Sequence, residues 1–216
     1  MLITLEGIEG SGKTTQINYI AEYLREMGHE CVITKEPGGT EIGEKIRSIL
    51  LDPGNKNIHP LTELLLYAAD RVQHIKEFIG PMLEAGKIVI CDRFHDSTTV
   101  YQGFTRGVDL GLIHQLNKLV LEGVGPDITF VLDLPPELGL ERAWKQINSG
   151  SRSDMETRFE KEKLSFHENV RKGYLELAKS EPDRFVLIDA SVEAASVSES
   201  IIEKLKEFFK NINGRS

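Results

Sequence analysis

Residues 2–15 read LITLEGIEGSGKTT, an apolar run that leads into a glycine-rich loop carrying a lysine and two threonines. Gly7, Gly12, Lys13 and Thr14 satisfy the pattern G-x-x-x-x-G-K-[ST], between a predicted strand and a predicted helix. In such a loop the backbone N–H groups point inward, the lysine reaches the terminal phosphates and the threonine hydroxyl is a ligand of magnesium. The stretch therefore predicts a site for a nucleoside triphosphate with Mg²⁺; a glycine-rich turn without a ligand is the weaker alternative.

Five short apolar runs have the pattern of parallel strands buried on both faces. They are rich in β-branched residues, do not alternate with polar residues, and are separated by segments of helical length. The predicted strands are residues 2–6, 31–36, 87–92, 128–134 and 185–190. The predicted helices are residues 14–28, 40–52, 60–86, 110–123, 136–147, 155–180 and 194–212. This order predicts the α/β class, with a doubly wound five-stranded parallel sheet.

Length and charge restrict the class of protein. The 216 residues suit one domain spanning 1–216, and 26 Lys and Arg against 34 Asp and Glu give a net charge of -8. The electric field of this net negative charge repels extended nucleic acid but allows the binding of small phosphorylated ligands. No run approaches the roughly eighteen apolar residues of a membrane span, and the amino terminus lacks a secretory signal, so we expect a cytoplasmic protein. Cys31 and Cys91 lie in apolar runs and are expected to be small buried hydrophobes in a reducing compartment, rather than redox or metal groups.

Glu9 places a carboxylate inside the anion-binding loop. If it accepted hydrogen bonds from the loop amides, it would compete with the phosphate, and like charges about 4 Å apart repel each other. We therefore expect Glu9 to point away from the triphosphate and toward an acceptor. The alternative is a glutamate that faces solvent.

Two further sets of polar or aromatic side chains are candidates for the site, one at the end of a predicted strand and one on a predicted helix. Asp92 and Arg93 end the third strand, where a carboxylate can serve the magnesium through water and a guanidinium can lie beside phosphates; a surface ion pair is the alternative. Tyr67, Arg71 and His74 share one face of a predicted helix. Tyr67 and Arg71 would suit a flat base as aromatic platform and donor, the alternative being a solvated helix edge. His74 is expected to be structural.

The polar stretch NSGSRSD, residues 148–154, has turn composition and carries Arg152. A loop that brings an arginine over a phosphate site would neutralise charge during phosphoryl transfer. An ordinary exposed loop arginine is the alternative, and Arg142 and Arg158 are the next candidates for the role. The predicted lid covers about residues 145–158.

Six pieces in order resemble the thymidylate kinases, P-loop enzymes that phosphorylate dTMP with MgATP. They are LEGIEGSGKTTQ, KEPGGTEIGEKIR, LLLYAADRVQH, CDRFHDSTTVYQG, FVLDLPPELGLERA and FVLIDAS. The resemblance implies a P-loop nucleotide kinase fold with a helical lid insertion. It also implies transfer of the ATP γ-phosphate to dTMP, giving dTDP and ADP on the way to dTTP, and a homodimer formed through an apolar helical face.

The resemblance assigns roles to residues of this sequence. Arg93 would hold the acceptor phosphate, Tyr67 would stack on thymine and Arg71 would donate to a base carbonyl. Glu9 would face the sugar of dTMP, and Arg152 marks the lid-arginine type common in bacteria. The rest of the substrate pocket would be Thr98, Tyr101 and Gln102, with Tyr101 where a ribose 2'-hydroxyl would lie. The ATP site would be Gly7, Ile8, Glu9, Gly10, Ser11, Gly12, Lys13, Thr14 and Thr15, with Arg142 and the Ala190 turn beside adenine.

The attacking group in this reaction is a phosphate oxygen, already anionic, so alignment and charge neutralisation suffice without a general base. The expected catalytic set is Lys13, Arg93, Arg152, Asp92 and Glu9, with Asp92 on a magnesium-bound water. Two other functions stay open at this stage. One is a kinase of the same fold for a different nucleoside monophosphate, and the other is a nucleotide-controlled switch or binding module.

Overall fold

The computed structural model describes residues 1–151 and 153–213. A five-stranded sheet forms the centre, with β1 (Leu2–Glu6), β2 (Cys31–Lys35), β3 (Ile88–Asp92), β4 (Ile128–Asp133) and β5 (Phe185–Asp189). The strand order is β2-β3-β1-β4-β5 and every neighbouring pair is parallel. The predicted α/β class and five-stranded parallel sheet are therefore confirmed.

Helices connect the strands and cover both faces of the sheet. They are α1 (Lys13–Glu26), α2 (Glu41–Leu51), α3 (Pro60–His74), α4 (Gly80–Glu84), α5 (His95–Thr98), α6 (Leu110–Leu121), α7 (Pro136–Asn148), α8 (Leu164–Ser180) and α9 (Ala194–Asn213). A π-helical segment, Ile75–Ile79, joins α3 to α4, so the predicted helix at 60–86 is one helical run with a wider turn in it. A second π-helical segment, Thr99–Thr105, extends α5 and was not predicted.

The predicted helix at 155–180 is wrong in its first part. Asp154–Glu156 form a single 3₁₀ turn, residues 157–163 form turns, and α8 begins at Leu164. Four successive residues, 157–160, are buried, which one face of a surface helix cannot provide. Arg158 explains the local fold, because its guanidinium reaches into the interior to the carbonyl oxygen of Leu50 and to the carboxylate of Glu63.

Burial differs between the central and the outer strands. Every residue of β1 is buried, and Phe130 and Leu132 of β4 are fully covered, so the core lies against both faces at the centre. The prediction that all five strands are buried on both faces is wrong for β2 and β5. These strands form the sheet edges, where Ile33 is 40% and Leu187 is 49% exposed.

The cysteines are free thiols, with Cys91 buried and Cys31 half-buried. Among the described residues, no helix combines the length and the apolar character needed to cross a membrane. The carboxyl ends of the parallel strands meet at one edge of the sheet, and the loops that follow β1, β2 and β3 converge there.

Candidate active site

The loop between β1 and α1 encloses the ammonium group of Lys13. Its Nζ donates to the carbonyl oxygens of Gly7 at 3.2 Å and Ile8 at 3.1 Å, and lies 3.4 Å from Ser11 Oγ. Burial, followed by the nearby charge of Arg93, lowers the pKa of Lys13 to about 8. A bound polyanion would favour the charged form of this lysine, so the group is suited to phosphate.

The loop packs directly on the first turn of α7. A Cβ atom on Gly10 would lie 1.9 Å from the carbonyl oxygen of Gly139, and Gly10 has φ 71°. A Cβ atom on Gly139 would lie 2.6 Å from the carbonyl oxygen of Glu9. Only glycine fits at both positions, because backbone approaches backbone there. The phosphate loop is thus held in shape by α7, which leads into the predicted lid.

Thr14 and Asp92 provide oxygen atoms at the mouth of the loop. The Thr14 hydroxyl donates to Asp92 Oδ2 at 3.3 Å. Within residues 1–151 and 153–213 no three His, Cys, Asp or Glu side chains group as a complete metal site. Mg²⁺ suits such a place, because it prefers few protein oxygens and completes its shell with phosphate oxygens and water. The residues present therefore fit magnesium bound with a nucleotide.

Arg93 turns back toward the phosphate loop immediately after β3. It adopts φ 67°, an uncommon conformation for a residue with a side chain and one that is frequent at functional sites. Its Nη1 donates to Ser97 Oγ at 3.2 Å and Tyr174 OH at 3.1 Å, and its Nη2 to Glu9 Oε1 at 3.0 Å. These three bonds leave two of the five guanidinium N–H groups without a partner among the described residues. Arg93 is oriented by protein contacts yet retains donors for an anion.

Glu9 lies inside the protein and turns away from the loop amides. Its Oε1 accepts from Tyr101 OH at 2.6 Å as well as from Arg93, and its Oε2 accepts from His167 Nδ1 at 3.1 Å. The residue is 7% exposed, so the solvent-facing alternative is wrong. The Glu9 carboxylate instead joins the phosphate loop to β3, to the segment after α5 and to α8.

The surroundings of Glu9 favour its charged form. Burial alone would raise its pKa, but the hydrogen bond from His167 and then the charge of Arg93 outweigh burial and lower the pKa. The Tyr101 phenol carries the opposite shift, because burial raises its pKa well above the ordinary value. Tyr101 is therefore a neutral hydrogen-bond donor to an ionised carboxylate.

One cavity joins the phosphate loop to the predicted base-binding residues. Glu9 and the loop residues Gly10, Ser11, Gly12, Lys13, Thr14 and Thr15 line it together with Asp92, Arg93, Tyr67, Arg71, Tyr101 and Gln102. Gly7 and Ile8, the first two residues of the loop, do not line the cavity, and Ile8 is part of the hydrophobic core. The structure thus brings most of the predicted site residues around a single space.

Thr98 does not line this cavity and needs a correction. Its hydroxyl is buried and accepts a hydrogen bond from Arg71 Nη2 at 3.0 Å. The hydroxyl therefore supports Arg71 from behind, and Ser97 is the neighbour that reaches the cavity. Sequence spacing could not separate the two, because adjacent residues on a short helix point in different directions.

Arg71 and His74 are fixed by a carboxylate that follows β2. Arg71 Nε donates to Glu36 Oε2 at 2.8 Å, and His74 Nδ1 lies 3.0 Å from Glu36 Oε1. The His74 Nε2 atom lies 2.6 Å from Thr34 Oγ1, and the ring is fully buried. This face of α3 is interior, so a solvated helix edge is wrong, and the contacts of His74 agree with its predicted structural role.

Arg142 and Ala190 meet at the β5 edge of the sheet, outside the cavity just described. Arg142 Nη1 donates to the Ala190 carbonyl oxygen at 2.7 Å, and Nη2 to that of Ser191 at 3.1 Å. Arg71 binds the end of β2 instead, at the opposite edge of the sheet. The residues predicted beside adenine and the residue predicted beside thymine therefore lie on opposite sides of the phosphate loop.

The predicted lid is only partly described. Arg152 lies outside the described residues. Arg158 is one of the two alternative candidates for the role of Arg152. Its guanidinium is held in the interior by Glu63 and Leu50, so the prediction that it could contact a phosphate is wrong. Arg142, the other candidate, is committed to the turn after β5.

The sequence did not reveal several residues that organise the site. His167 of α8 is fully buried against Glu9, and Ser97 contacts Arg93, Tyr174 and the buried carboxylate of Glu6. Arg47 lines the cavity and pairs with Glu156 at 2.7 Å. Glu36 and Arg47 fall within KEPGGTEIGEKIR, one of the six pieces that resemble the family, so the sequence could have indicated them as site residues. His167 lies in none of the six pieces, and no sequence pattern indicated it.

Comparison with known proteins agrees with this geometry. The family model described as thymidylate kinase matches residues 5–201. The chain belongs to the thymidylate kinase family. The match confirms the resemblance and the class of enzyme that the six sequence pieces predict.

Curated thymidylate kinases match along nearly their whole length. The thymidylate kinase of Desulfosudis oleivorans is 55% identical over 206 residues, covering 95% of this chain and 96% of that protein. The thymidylate kinase of Geobacter sulfurreducens is 54% identical over 198 residues, covering 91% and 92%. A crystal structure of thymidylate kinase from Ehrlichia chaffeensis superposes with a TM-score of 0.76 at 38% identity, covering 95% of this chain and 98% of that one. The chain therefore shares its fold with that thymidylate kinase over nearly the whole length of both chains.

Proposed function

We propose that the chain transfers the γ-phosphate of ATP to dTMP, giving ADP and dTDP, a step in the synthesis of dTTP. The observation that carries this proposal is that one cavity contains two anion-binding groups, Lys13 in the phosphate loop and Arg93 after β3. A nucleotide-controlled switch needs only the first group. The second supports an acceptor that brings its own phosphate.

The chemistry requires charge neutralisation more than proton transfer. The attacking oxygen of a nucleoside monophosphate is already anionic, so no general base is assigned. Lys13 neutralises the terminal phosphates of ATP, and the two free N–H groups of Arg93 bind the acceptor phosphate. Arg152, proposed from the sequence alone, adds positive charge when the phosphoryl group is in transit. Because Glu9 and Ser97 orient Arg93 in advance, little side-chain entropy is lost on binding.

Magnesium is proposed as the cofactor, held by the Thr14 hydroxyl directly and by Asp92 through water. When bound, magnesium would offset the negative charge of the phosphate oxygens. The Thr14 to Asp92 hydrogen bond supports this assignment, because it places both oxygen groups at the mouth of the phosphate loop.

The nucleoside of dTMP is assigned to the other end of the cavity. Tyr67 stacks on thymine, Arg71 donates to a base carbonyl, and Glu9 accepts a hydrogen bond from the sugar 3'-hydroxyl. Tyr101 crowds the position of a ribose 2'-hydroxyl, held there by its hydrogen bond to Glu9. Arg142 and the Ala190 turn flank the adenine of ATP.

The chain is also proposed to act as a single P-loop kinase domain, residues 1–216, with a lid at about 145–158. A cytoplasmic location fits the two free thiols. A homodimer is proposed through α3 and α6, where Leu65 is 52% and Leu119 is 73% exposed. Light scattering would give twice the chain mass for the dimer and the chain mass for a monomer.

The test is ADP formation with MgATP and each of dTMP, dUMP, dCMP and dGMP as acceptor. The proposal predicts the highest kcat/KM with dTMP. A higher kcat/KM with dCMP or dGMP would reassign the acceptor. Slow ADP formation that no acceptor accelerates would favour the switch.

A further inference from the structure

Two buried polar pairs join α3 to the helical segment that begins at His95. Glu63, Tyr67 and Arg71 are four residues apart on α3 and therefore lie on one face. Arg71 Nη2 donates to Thr98 Oγ1 at 3.0 Å, and Gln102 Nε2 donates to Glu63 Oε1 at 2.7 Å. The two pairs bracket Tyr67, the proposed platform for the base.

Glu63 determines how the amide of Gln102 is oriented. Its second oxygen, Oε2, accepts from Arg158, whose Nη1 is bound to the carbonyl oxygen of Leu50 at 2.8 Å. A carboxylate paired in this way offers only acceptors, so Gln102 must present its NH₂ group to it. The side-chain carbonyl oxygen of Gln102, Oε1, is consequently turned away from Glu63. It accepts no hydrogen bond within residues 1–151 and 153–213, and Gln102 lines the cavity.

Arg71 offers the opposite chemistry to the same cavity. Its Nε–H is used by Glu36 and one Nη2–H by Thr98, which leaves guanidinium donors without a partner in the described part of the chain. Arg71 is only 2% exposed, so an unmatched donor there would be costly. The base end of the cavity therefore presents a donor at Arg71 and an acceptor at Gln102.

We propose that Glu63 is a positioning residue that sets the choice of base. By fixing Gln102 as an acceptor, it makes the cavity accept a pyrimidine with a 4-oxo group and an N3–H, and reject one with a 4-amino group. Thymine and uracil supply an acceptor at O4 and a donor at N3, whereas cytosine supplies a donor at N4 and an acceptor at N3. Cytosine would meet donor against donor and acceptor against acceptor. The inference rests on the proposed function, because it concerns the acceptor of that reaction.

The test compares kcat/KM for dTMP, dUMP and dCMP in the wild type and in E63Q. In E63Q the direct hydrogen bond from Arg158 outweighs the more distant Arg106, whose Nε lies 3.7 Å from Oε1, so Arg158 holds the new carbonyl oxygen. The new NH₂ group then faces Gln102 and reverses its amide. We expect the preference for dTMP over dCMP to fall by at least about tenfold, since the N3 mismatch becomes a match. The preference for dTMP over dUMP should stay unchanged, because these bases share the same 3,4-edge.

E162Q is the matched control. Glu162 pairs at 2.7 Å with Arg106, which also lies 3.7 Å from Glu63, whereas the Gln102 amide donates to Glu63 and not to Glu162. The E162Q substitution removes one negative charge from the same region as E63Q does. We expect the three substrates to keep their relative kcat/KM in this variant.

Q102M tests the inference without disturbing the buried pair of Glu63 and Arg158. We expect kcat/KM for dTMP and dUMP to fall together by about ten- to a hundredfold, while kcat/KM for dCMP does not fall, because the acceptor that opposes its N3 is gone. This variant decides the matter if E63Q does not fold. An equal loss for all three substrates in either variant would overturn the inference while leaving the proposed function intact. A wild type that uses none of the three would overturn both.

Discussion

Replacing Glu9 with glutamine removes the charge at the centre of the proposed acceptor site while keeping the side-chain shape. Glu9 accepts from Arg93, Tyr101 and His167. The new NH₂ group is best placed beside His167, whose Nε2 atom has no partner among the described residues. The imidazole can therefore carry its proton on Nε2 and accept at Nδ1, and the fold should survive.

The size of the effect follows from the hydrogen bonds that change type. A hydrogen bond to a charged group is worth about 1.5 to 3 kcal/mol, and one between neutral groups about 0.5 to 1.5 kcal/mol. In Glu9→Gln the proposed bond to the dTMP 3'-hydroxyl becomes a bond between neutral groups, while the bond from Arg93 keeps its charged donor and loses only its charged acceptor. Together these changes predict a loss of about 1 to 3 kcal/mol, or roughly one to two orders of magnitude in kcat/KM for dTMP.

The assay is steady-state ADP formation with dTMP and with 3'-deoxy-dTMP, for the wild type and Glu9→Gln. The wild type should discriminate strongly against the 3'-deoxy substrate, and the variant should discriminate little, because the charged acceptor is already gone. Urea unfolding of both proteins serves as the control for stability. Equal discrimination by wild type and variant would show that Glu9 does not bind the 3'-hydroxyl.

The other predictions concern the phosphate loop, the lid, α8 and β1. Lys13→Met should abolish transfer in a folded protein, and retention of more than about a tenth of kcat would refute the loop assignment. Arg152→Ala should lower kcat by roughly two to three orders of magnitude with a much smaller change in dTMP affinity; an unchanged kcat would make it an ordinary loop arginine. His167→Leu should raise KM for dTMP about tenfold by releasing Glu9, and His167→Asn, which keeps a donor, should restore most of it; equal effects would refute positioning. Burial raises the pKa of Glu6 from 4.5 to about 7, so the folded state holds a proton there that the unfolded state releases at lower pH. The stabilisation from this proton is complete below pH 4.5 and is lost as the pH rises through about 7. Glu6→Gln should therefore flatten the pH dependence of the free energy of unfolding, measured with urea, over this range. An unchanged pH dependence would contradict the assignment.

The sheet and the phosphate loop could be predicted because their signals are local. Each strand is one continuous apolar run, and the loop pattern lies within residues 7–14. The segment at residues 157–163 could not be predicted as turns, because its composition suits a helix. Burial of Arg158 against Glu63, 95 residues earlier in the chain, overrides that preference.

The candidate site was predictable only in part, because its contacts join distant segments. The partners of Glu9 lie 84, 92 and 158 residues away in the chain. Arg93 and Tyr101 stand in sequence patterns that indicate function, but His167 is one histidine within an amphipathic helix. Glu63 is likewise an ordinary helix residue until the fold places Gln102 and Arg158 on its two oxygens.

The central claim is that phosphate passes from ATP to dTMP, and product stoichiometry tests it most directly. The purified chain would be incubated with MgATP and dTMP, and ADP, dTDP and inorganic phosphate would be separated and counted. We predict one dTDP for every ADP, with no excess phosphate over a reaction lacking dTMP. ADP that appears together with inorganic phosphate, at a rate independent of dTMP and without dTDP, would contradict the claim.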